Sequence, residues 1–401
     1  MAATPNSSDL QRAGSSSSRY LRPNVWLGKA IPLILLVFVW KGWELVLYQI
    51  IPHVALHHPR LAGSYAVAMH AALAMTLLSY FKVYLHSQAP PRRREPPEEV
   101  QAKRVVFACD EAGAPLRCYR DRCDGAWQTI RTRHCRDCGT CRPLFDHHCA
   151  FMDNCIDAET HKAFFCFVAY ATVVLGLGLL PLAPPQWAAL RRVVRSTWHT
   201  ETMAQSWWHR WYSWAGGPVW RYAGAVLLGY RQYQQATGLE SITGQTNETV
   251  NMLPAVARPR SLSDPRLSTL AITGSAWLIF LIALSMVLVV VRNASRGLST
   301  VQIERARTYH AQRNRAPLGL KPRYDARLRL WVTAPDGSDG TVVLVEPDIP
   351  LFDFGWRDNL RRAFGDRWWK WLLPWTSTTH SDLDMNPARL AELQKRVHKS
   401  A

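Results

Sequence analysis

The chain has 401 residues, with 48 Lys and Arg against 30 Asp and Glu, a formal net charge of +18, and 18 Trp. Basicity on that scale fits either nucleic acid or a lipid interface, where cations meet anionic headgroups and indole rings anchor. Four apolar segments of membrane length exclude nucleic acid as the partner and leave the bilayer.

Residues 1–30 open Ser-rich and polar, with no apolar core of a cleavable signal before residue 23. They are expected to form a flexible cytosolic N-terminus, the first span serving as its own insertion signal. Crossing hydrocarbon takes about 20 residues. Residues 31–51 are the first such segment, interrupted by Lys41 and Glu44, which lie three apart on one helical face and can pair. Residues 61–81, with His70 inside, are the second, so that 31–85 holds spans 1 and 2. A basic loop, 86–162, follows and carries Arg92-Arg93-Arg94 and Lys103-Arg104. Residues 163–182 form span 3, with Pro181 and Pro184-Pro185 marking its exit. Residues 183–266 form a long loop in which Trp207-Trp208, Trp211 and Trp214 admit two readings, an interfacial helix or a folded cap with a Trp core. Asn247-Glu248-Thr249 in that loop is a glycosylation sequon. Span 4 covers 267–291 and ends at Arg292, and 292–401 is a basic tail. By the positive-inside rule the loop 86–162, the tail and both termini face the cytosol, and 183–266 faces the lumen.

The loop between spans 2 and 3 carries the chemistry. From Cys118 to Cys155 run ten thiols and imidazoles: Cys118, Cys123, His134, Cys135, Cys138, Cys141, His147, His148, Cys149 and Cys155. A thiol every third residue in Cys135-x2-Cys138-x2-Cys141 is metal-ligand spacing and not core packing. Structural zinc takes four ligands, so two sites use eight and leave one His and one Cys over. A reducing, cytosolic compartment suits such a cluster better than disulfides do.

The run His-Cys-x2-Cys-x2-Cys-x4-Asp-His-His-Cys-x5-Cys, from His134 to Cys155 and set between the second and third of four spans, resembles the DHHC protein S-acyltransferases, or palmitoyltransferases. The resemblance implies an α-helical integral membrane protein with four transmembrane helices and a small cytosolic two-zinc domain between spans 2 and 3. It implies interleaved Cys3His sets for two structural zinc ions, Cys118, Cys123, His134 and Cys141 in one, Cys135, Cys138, His148 and Cys155 in the other. It also implies a catalytic trio of Asp146, His147 and Cys149. The chemistry agrees: an acyl-accepting thiol must be free of metal and beside a base, and a carboxylate orients that base. Two adjacent zinc sites would hold the short segment rigid. Cys149 lies 14 residues before span 3, close to the bilayer face where an acyl-CoA keeps its head in water and its chain in hydrocarbon. Departures from the family are Cys118-x4-Cys123 in place of a two-residue spacing, which makes Cys109 a possible substitute ligand. Ala150-Phe151 stand where Pro-Trp is usual, and Asp157 and Thr160 stand where Gly and Asn are usual.

In the tail, Leu298-Ser299-Thr300-Val301-Gln302 is similar to the family's Thr-Thr-x-Glu element, which implies that Thr300 packs against the catalytic domain. The segment from Phe352 to Gly365 is similar to a C-terminal motif in which an aromatic contacts the membrane domain and an Asn fixes the local turn, here Phe352 and Asn359. Residues 329–345, split by Pro335-Asp336-Gly337, read as a hairpin. The run from Trp368 to Trp375 reads as an interfacial anchor. The sequence thus predicts a multi-pass endomembrane protein that transfers a long acyl chain from acyl-CoA, by ping-pong chemistry through Cys149, to cysteines of membrane-associated substrate proteins. The rival readings are a zinc-bound scaffold whose trio is silent, a RING-like ligase and a zinc knuckle.

Overall fold

The computed structural model describes residues 23–86, 95–243, 267–315, 325–333, 340–376 and 384–400. Arg92-Arg93-Arg94, the Asn247 sequon and the Pro335-Asp336-Gly337 turn lie outside the described residues. Among the described residues four helices are long and apolar enough to cross a bilayer. The first runs over Ala30–His57 within α1 (Pro23–Leu45), a π-turn (Val46–Ile50) and a short helix (Ile51–His57). The others are α2 (Pro59–Tyr84), α3 (His161–His199) and α5 (Leu267–Ser295), with α4 (Gly217–Thr243) between the last two. By contacts the chain divides into one unit of Met1–Val37, Ala72–Thr172 and Ile282–Ala401 and a second of Phe38–Ala71 and Val173–Leu281.

In the second unit Lys41 Nζ donates to Glu44 Oε2 at 2.9 Å, the pairing that their spacing predicts. The π-turn falls just before Pro52, where the ring displaces the regular bond to the preceding turn. The α3 helix does not stop at Pro181 but runs through Pro184-Pro185 to His199. Pro181 has no N–H, so the Leu177 carbonyl loses its helical partner, and Tyr65 Oη donates to that carbonyl at 2.9 Å. Gln186 Nε2 donates to Thr273 Oγ1 at 3.0 Å further along. After α3 the chain folds back on itself around Trp207, which packs with Met203 and Ala225. Among the described residues of this loop there is therefore a packed core on Trp207, the feature that the folded-cap reading expects.

The first unit holds the cysteine-rich region as three antiparallel hairpins. Strand β2 (Arg117–Cys118) pairs with β3 (Ala126–Trp127), β4 (Arg133–Cys135) with β5 (Thr140–Arg142), and β6 (His147–Cys149) with β7 (Asn154–Ile156). Their tight turns need left-handed backbone, supplied by Asp121, Gly125, Gly139 and Asp153. The tail adds α6 (Thr300–Arg315), the hairpin β8 (Leu328–Thr333) and β9 (Gly340–Val345), α7 (Trp356–Phe364) and α8 (Pro387–Ser400). The hairpin joins β1 (Phe107–Ala108) in register Phe107↔Trp331, which makes a three-stranded sheet ordered β1-β8-β9. A core of Val106, Ile130, Leu330, Val345, Phe352 and Leu393 closes over it.

Candidate active site and metal centres

Strand periodicity sorts the ligands. Successive residues of a strand point to opposite faces, and directly paired residues point to the same one. His134 pairs with Cys141, so both serve one face, and Cys135, next along, turns to the other. His148 pairs with Cys155 on the next hairpin. The result is two groups, Cys118, Cys123, His134 and Cys141, and Cys135, Cys138, His148 and Cys155, each with its ligand atoms within 4.8 Å of one another.

These distances can be tested against a metal. Ligands about 2.0–2.3 Å from a tetrahedral zinc stand about 3.6–3.8 Å apart. His134 Nδ1 lies 3.6 Å from Cys118 Sγ and 3.3 Å from Cys123 Sγ. His148 Nδ1 lies 3.8, 3.5 and 3.9 Å from the sulfurs of Cys135, Cys138 and Cys155. The donor chemistry fits as well. Burial and the charges of Cys118 and Cys123 push the Cys141 thiol up. Hydrogen bonds from Cys138 and Cys155 hold Cys135 down, and the same pairing drives Cys155 up. Protein alone thus crowds buried thiols that cannot all ionise, and a divalent cation removes that conflict. Each group can hold one metal ion. Cys109 belongs to neither; it pairs across a bridge with Pro115.

Outside the ligands, Asp121 Oδ2 lies 3.1 Å from His134 Nε2 and Asp153 Oδ1 lies 4.0 Å from His148 Nε2. Both carboxylates come from left-handed turn residues, at φ 46° and 45°. A carboxylate behind a ligating imidazole fixes its tautomer and ring orientation. The longer Cys118-x4-Cys123 loop is what supplies Asp121.

The three-residue strand β6 also divides the remaining groups. His148 faces the metal group, whereas His147 and Cys149 share the opposite face. Cys149 is buried among Tyr80, Met152, Phe164 and Val168, apolar side chains from α2, the β6–β7 turn and α3. His147 Nδ1 donates to Asp146 Oδ2 at 2.8 Å. Burial works against the charged imidazole, yet hydrogen bonds with Asp146 and Cys149 raise His147 to about 9. Burial likewise works against the Asp146 carboxylate, and the hydrogen bonds from His147 and the Thr300 backbone hold it at about 2. The geometry therefore sets an imidazole between a carboxylate and a thiol.

Thr300 reaches Asp146 twice, with its N–H donating to Oδ1 at 2.6 Å and its hydroxyl to Oδ2 at 2.9 Å. It opens α6, so the positive end of that helix points at the carboxylate. The helix start is fixed by a capping box: Ser299 N–H donates to Gln302 Oε1 at 2.8 Å and Gln302 N–H to Ser299 Oγ at 3.3 Å. The pattern Ser-x-x-Gln is legible in the sequence, and its capping role is the signal that sequence reasoning missed.

The tail motif holds the turn that precedes this helix. Buried Asn359 donates to Ser295 O at 2.9 Å and to Asp353 Oδ1 at 2.7 Å, and accepts from Phe354 N–H at 2.9 Å. Gly297, at φ 64°, passes so close to the Phe352 carbonyl that a Cβ there would collide with it. Arg131 Nη2 donates to Gly297 O at 3.2 Å and its guanidinium lies over the Phe352 ring. The two departures after Cys155 form one knot before α3: Asp157 Oδ1 accepts from the N–H groups of Glu159 (3.1 Å) and Thr160 (3.3 Å), and Thr160 Oγ1 donates to Cys155 O at 2.9 Å. Phe151, next to Ala150, is exposed, and its carbonyl accepts from Tyr80 Oη at 3.3 Å.

Comparison with known proteins points the same way. Residues 117–211 match the family described as DHHC palmitoyltransferase. The chain is 47% identical over 53 residues to the probable protein S-acyltransferase 15 of Arabidopsis thaliana, which covers 13% of this chain and 20% of the relative. It is 26% identical over 166 residues to the palmitoyltransferase ZDHHC15 of Xenopus laevis, covering 35% of this chain and 46% of the relative. To the palmitoyltransferase spe-10 of Caenorhabditis elegans it is 31% identical over 99 residues, 25% of this chain and 26% of the relative. The chain spans less than half the length of these relatives.

Proposed function

We propose that this multi-pass membrane protein is a protein S-acyltransferase that moves a long acyl chain from acyl-CoA to cysteine thiols of membrane-associated proteins. The observation that carries the reading is the line Thr300–Asp146–His147–Cys149, which places an oriented imidazole beside a thiol that is not needed by either metal group. Cys149 is the nucleophile, His147 the base and Asp146 its orienter. In the first half-reaction the Cys149 sulfur attacks the thioester carbonyl of acyl-CoA, with its proton held on His147. The carbon–sulfur bond to CoA breaks, and His147 returns the proton to the departing CoA thiolate. In the second, His147 takes the proton of a substrate cysteine, whose sulfur attacks the Cys149 thioester and releases Cys149 as a thiolate. The two Cys3His groups would hold zinc, which supplies structural rigidity around β6.

The apolar surroundings of Cys149 support an acyl chain as the transferred group, since each buried methylene stabilises by about 0.8 kcal/mol. The basic loop and tail support a cytosolic active site in an endomembrane by the positive-inside rule. The test is labelling of purified full-length protein with alkyne-bearing palmitoyl-CoA, wild type beside Cys149→Ser and His147→Ala. The expected result is a hydroxylamine-sensitive label on wild type, none on the Cys149 variant and a weak one on the His147 variant. No label on wild-type protein that holds two zinc ions, or equal label on all three, would leave only a metal-bound scaffold.

A further inference from the structure

The β6–β7 hairpin turns one face to the metal group and the other to the membrane helices, and on the second face stands a residue that neither the trio nor the ligand sets use. Cys149 and Asn154 are direct partners in the hairpin, so their side chains share that face. Asn154 is fully buried. Its amide nitrogen donates to the Val83 carbonyl at 2.8 Å and to the His86 carbonyl at 2.9 Å. Its carbonyl oxygen accepts from the Cys155 N–H at 2.8 Å. Both amide protons are engaged, and the partners fix which end of the amide is which, since two are carbonyls and one is an N–H.

The two carbonyls belong to the end of α2. A helix leaves its last carbonyls without partners inside it. Val83 stands in the last turn of α2 and His86 just beyond it, so Asn154 closes the end of a helix long enough to cross a bilayer. Val83 is also a wall residue, packed with Tyr80, Met152 and Phe164 in the apolar cluster that holds Cys149. Cys149 thus sits against the side chains of α2 while its strand partner grips the Val83 carbonyl. A second tie runs the same way, from Tyr80 Oη to Phe151 O at 3.3 Å. The metal groups do not make this connection, because neither draws a ligand from α2. Apolar packing does not fix it either, because hydrophobic burial is non-directional, whereas a two-pronged amide has one register.

We propose that Asn154 is a positioning residue for acyl transfer, clamping the strand opposite Cys149 to the end of α2 so that the thiol stands at a fixed height on the apolar wall. The proposal rests on the acyl-transfer reading of Cys149. A chain seated against membrane helices delivers its thioester at a place set by those helices, and attack needs the reacting atoms about 3–3.5 Å apart. A thiol carried on a separate hairpin meets that demand only when the hairpin is tied to the same helices, since a misplacement of about 1 Å can cost about a hundredfold in rate.

The test compares two reactions of Cys149 in the full-length protein, wild type beside Asn154→Ala. One is single-turnover labelling with saturating alkyne-bearing palmitoyl-CoA, which needs the thiol and the helices in register. The other is alkylation by iodoacetamide, read on the Cys149 peptide by mass spectrometry, which needs only the thiol and its base. With both zinc ions retained, Asn154→Ala should slow acyl-enzyme formation at least about tenfold and leave alkylation no slower than about half the wild-type rate. Parallel slowing of both reactions overturns the proposal, because it assigns Asn154 to the trio or to the fold in general. An unchanged acylation rate overturns it as well. If Asn154→Ala loses zinc, Tyr80→Phe, which deletes only the second tie, decides by the same comparison. Acylation slowed at least about threefold at unchanged alkylation then supports the clamp, and no difference overturns it. Wild-type protein that is alkylated at Cys149 but takes no palmitoyl label removes the acyl-transfer reading, and the proposal with it.

Discussion

Replacement of Thr300 by Val tests whether the tail acts on the site through a hydrogen bond or merely through packing. Asp146 is held by three donors, His147 Nδ1 at 2.8 Å, Thr300 N–H at 2.6 Å and the Thr300 hydroxyl at 2.9 Å. Valine keeps the β-branch and the backbone donor and deletes only the hydroxyl. A hydrogen bond to a charged group contributes about 1.5–3 kcal/mol, and each 1.4 kcal/mol is about tenfold in rate. Two donors remain, so part of that is recovered, and acyl-enzyme formation is expected to slow about tenfold. Thr300→Ser restores the hydroxyl and should stay within about twofold of wild type. The assay is single-turnover labelling with alkyne-bearing palmitoyl-CoA, on protein whose zinc content is unchanged. Equal rates for Val and wild type would show that the bond is idle. A Ser variant as slow as Val would show that the methyl group, not the hydroxyl, matters.

Gly297→Ala should act on the same line from further away. A left-handed alanine costs about 1–2 kcal/mol, and the Cβ must displace the Phe352 carbonyl; the expected readouts are a lower Tm and at least tenfold slower acyl-enzyme formation with both metals retained. Asp121→Ala removes the partner of His134, and zinc should transfer to a chelator about 10–100-fold faster from one of the two sites only; a uniform change in both phases refutes that assignment. The Asp146–His147 pair also gives a pH dependence. Asp146 is depressed to about 2, so its contribution, about 2 kcal/mol, is complete above its unfolded value near 4 and is lost as pH falls toward 2. His147 is raised to about 9, so its contribution is complete below about 6.5 and is lost as pH rises through 9. The Tm difference between wild type and Asp146→Asn should therefore be widest near pH 5–6 and shrink toward pH 9, and a difference that grows with pH refutes the pairing.

Much of this architecture is legible in the residues, and the illegible parts have a common cause. The long apolar runs announce their helices, and the 329–345 hairpin shows in its alternating apolar residues. β1 does not, because two residues carry no period and Phe107 gains strand geometry only by pairing with Trp331, more than 200 positions away. The length of α3 is hidden for a similar reason. Pro181 is a stop signal locally, and the side chain that cancels it, Tyr65, lies on a different helix. At the site, the ligands, the trio and the Ser-x-x-Gln pattern of the capping box are visible as residue types, but the Asp121 partner is visible only as geometry.

All but one of the departures from the usual family pattern follow from the same geometry, because the lost group is matched by a local replacement. The two extra residues between Cys118 and Cys123 break the common spacing, yet they make room for Asp121, whose left-handed backbone brings its carboxylate to 3.1 Å from His134. Asp157 and Thr160 change together, and each answers the other: the carboxylate accepts the Thr160 N–H, and the hydroxyl accepts the Asp157 N–H at 2.9 Å. Gln302 stands where a carboxylate is usual and still closes the capping box, because a capping box needs an acceptor and not a charge. Ala150-Phe151 has no such answer: Phe151, two residues after Cys149, lies exposed, and its backbone carbonyl accepts from Tyr80. Substitutions that preserve a hydrogen bond leave β6 where it is, so on the acyl-transfer function proposed above the place where donor or substrate preference should differ is the rim formed by Ala150 and Phe151.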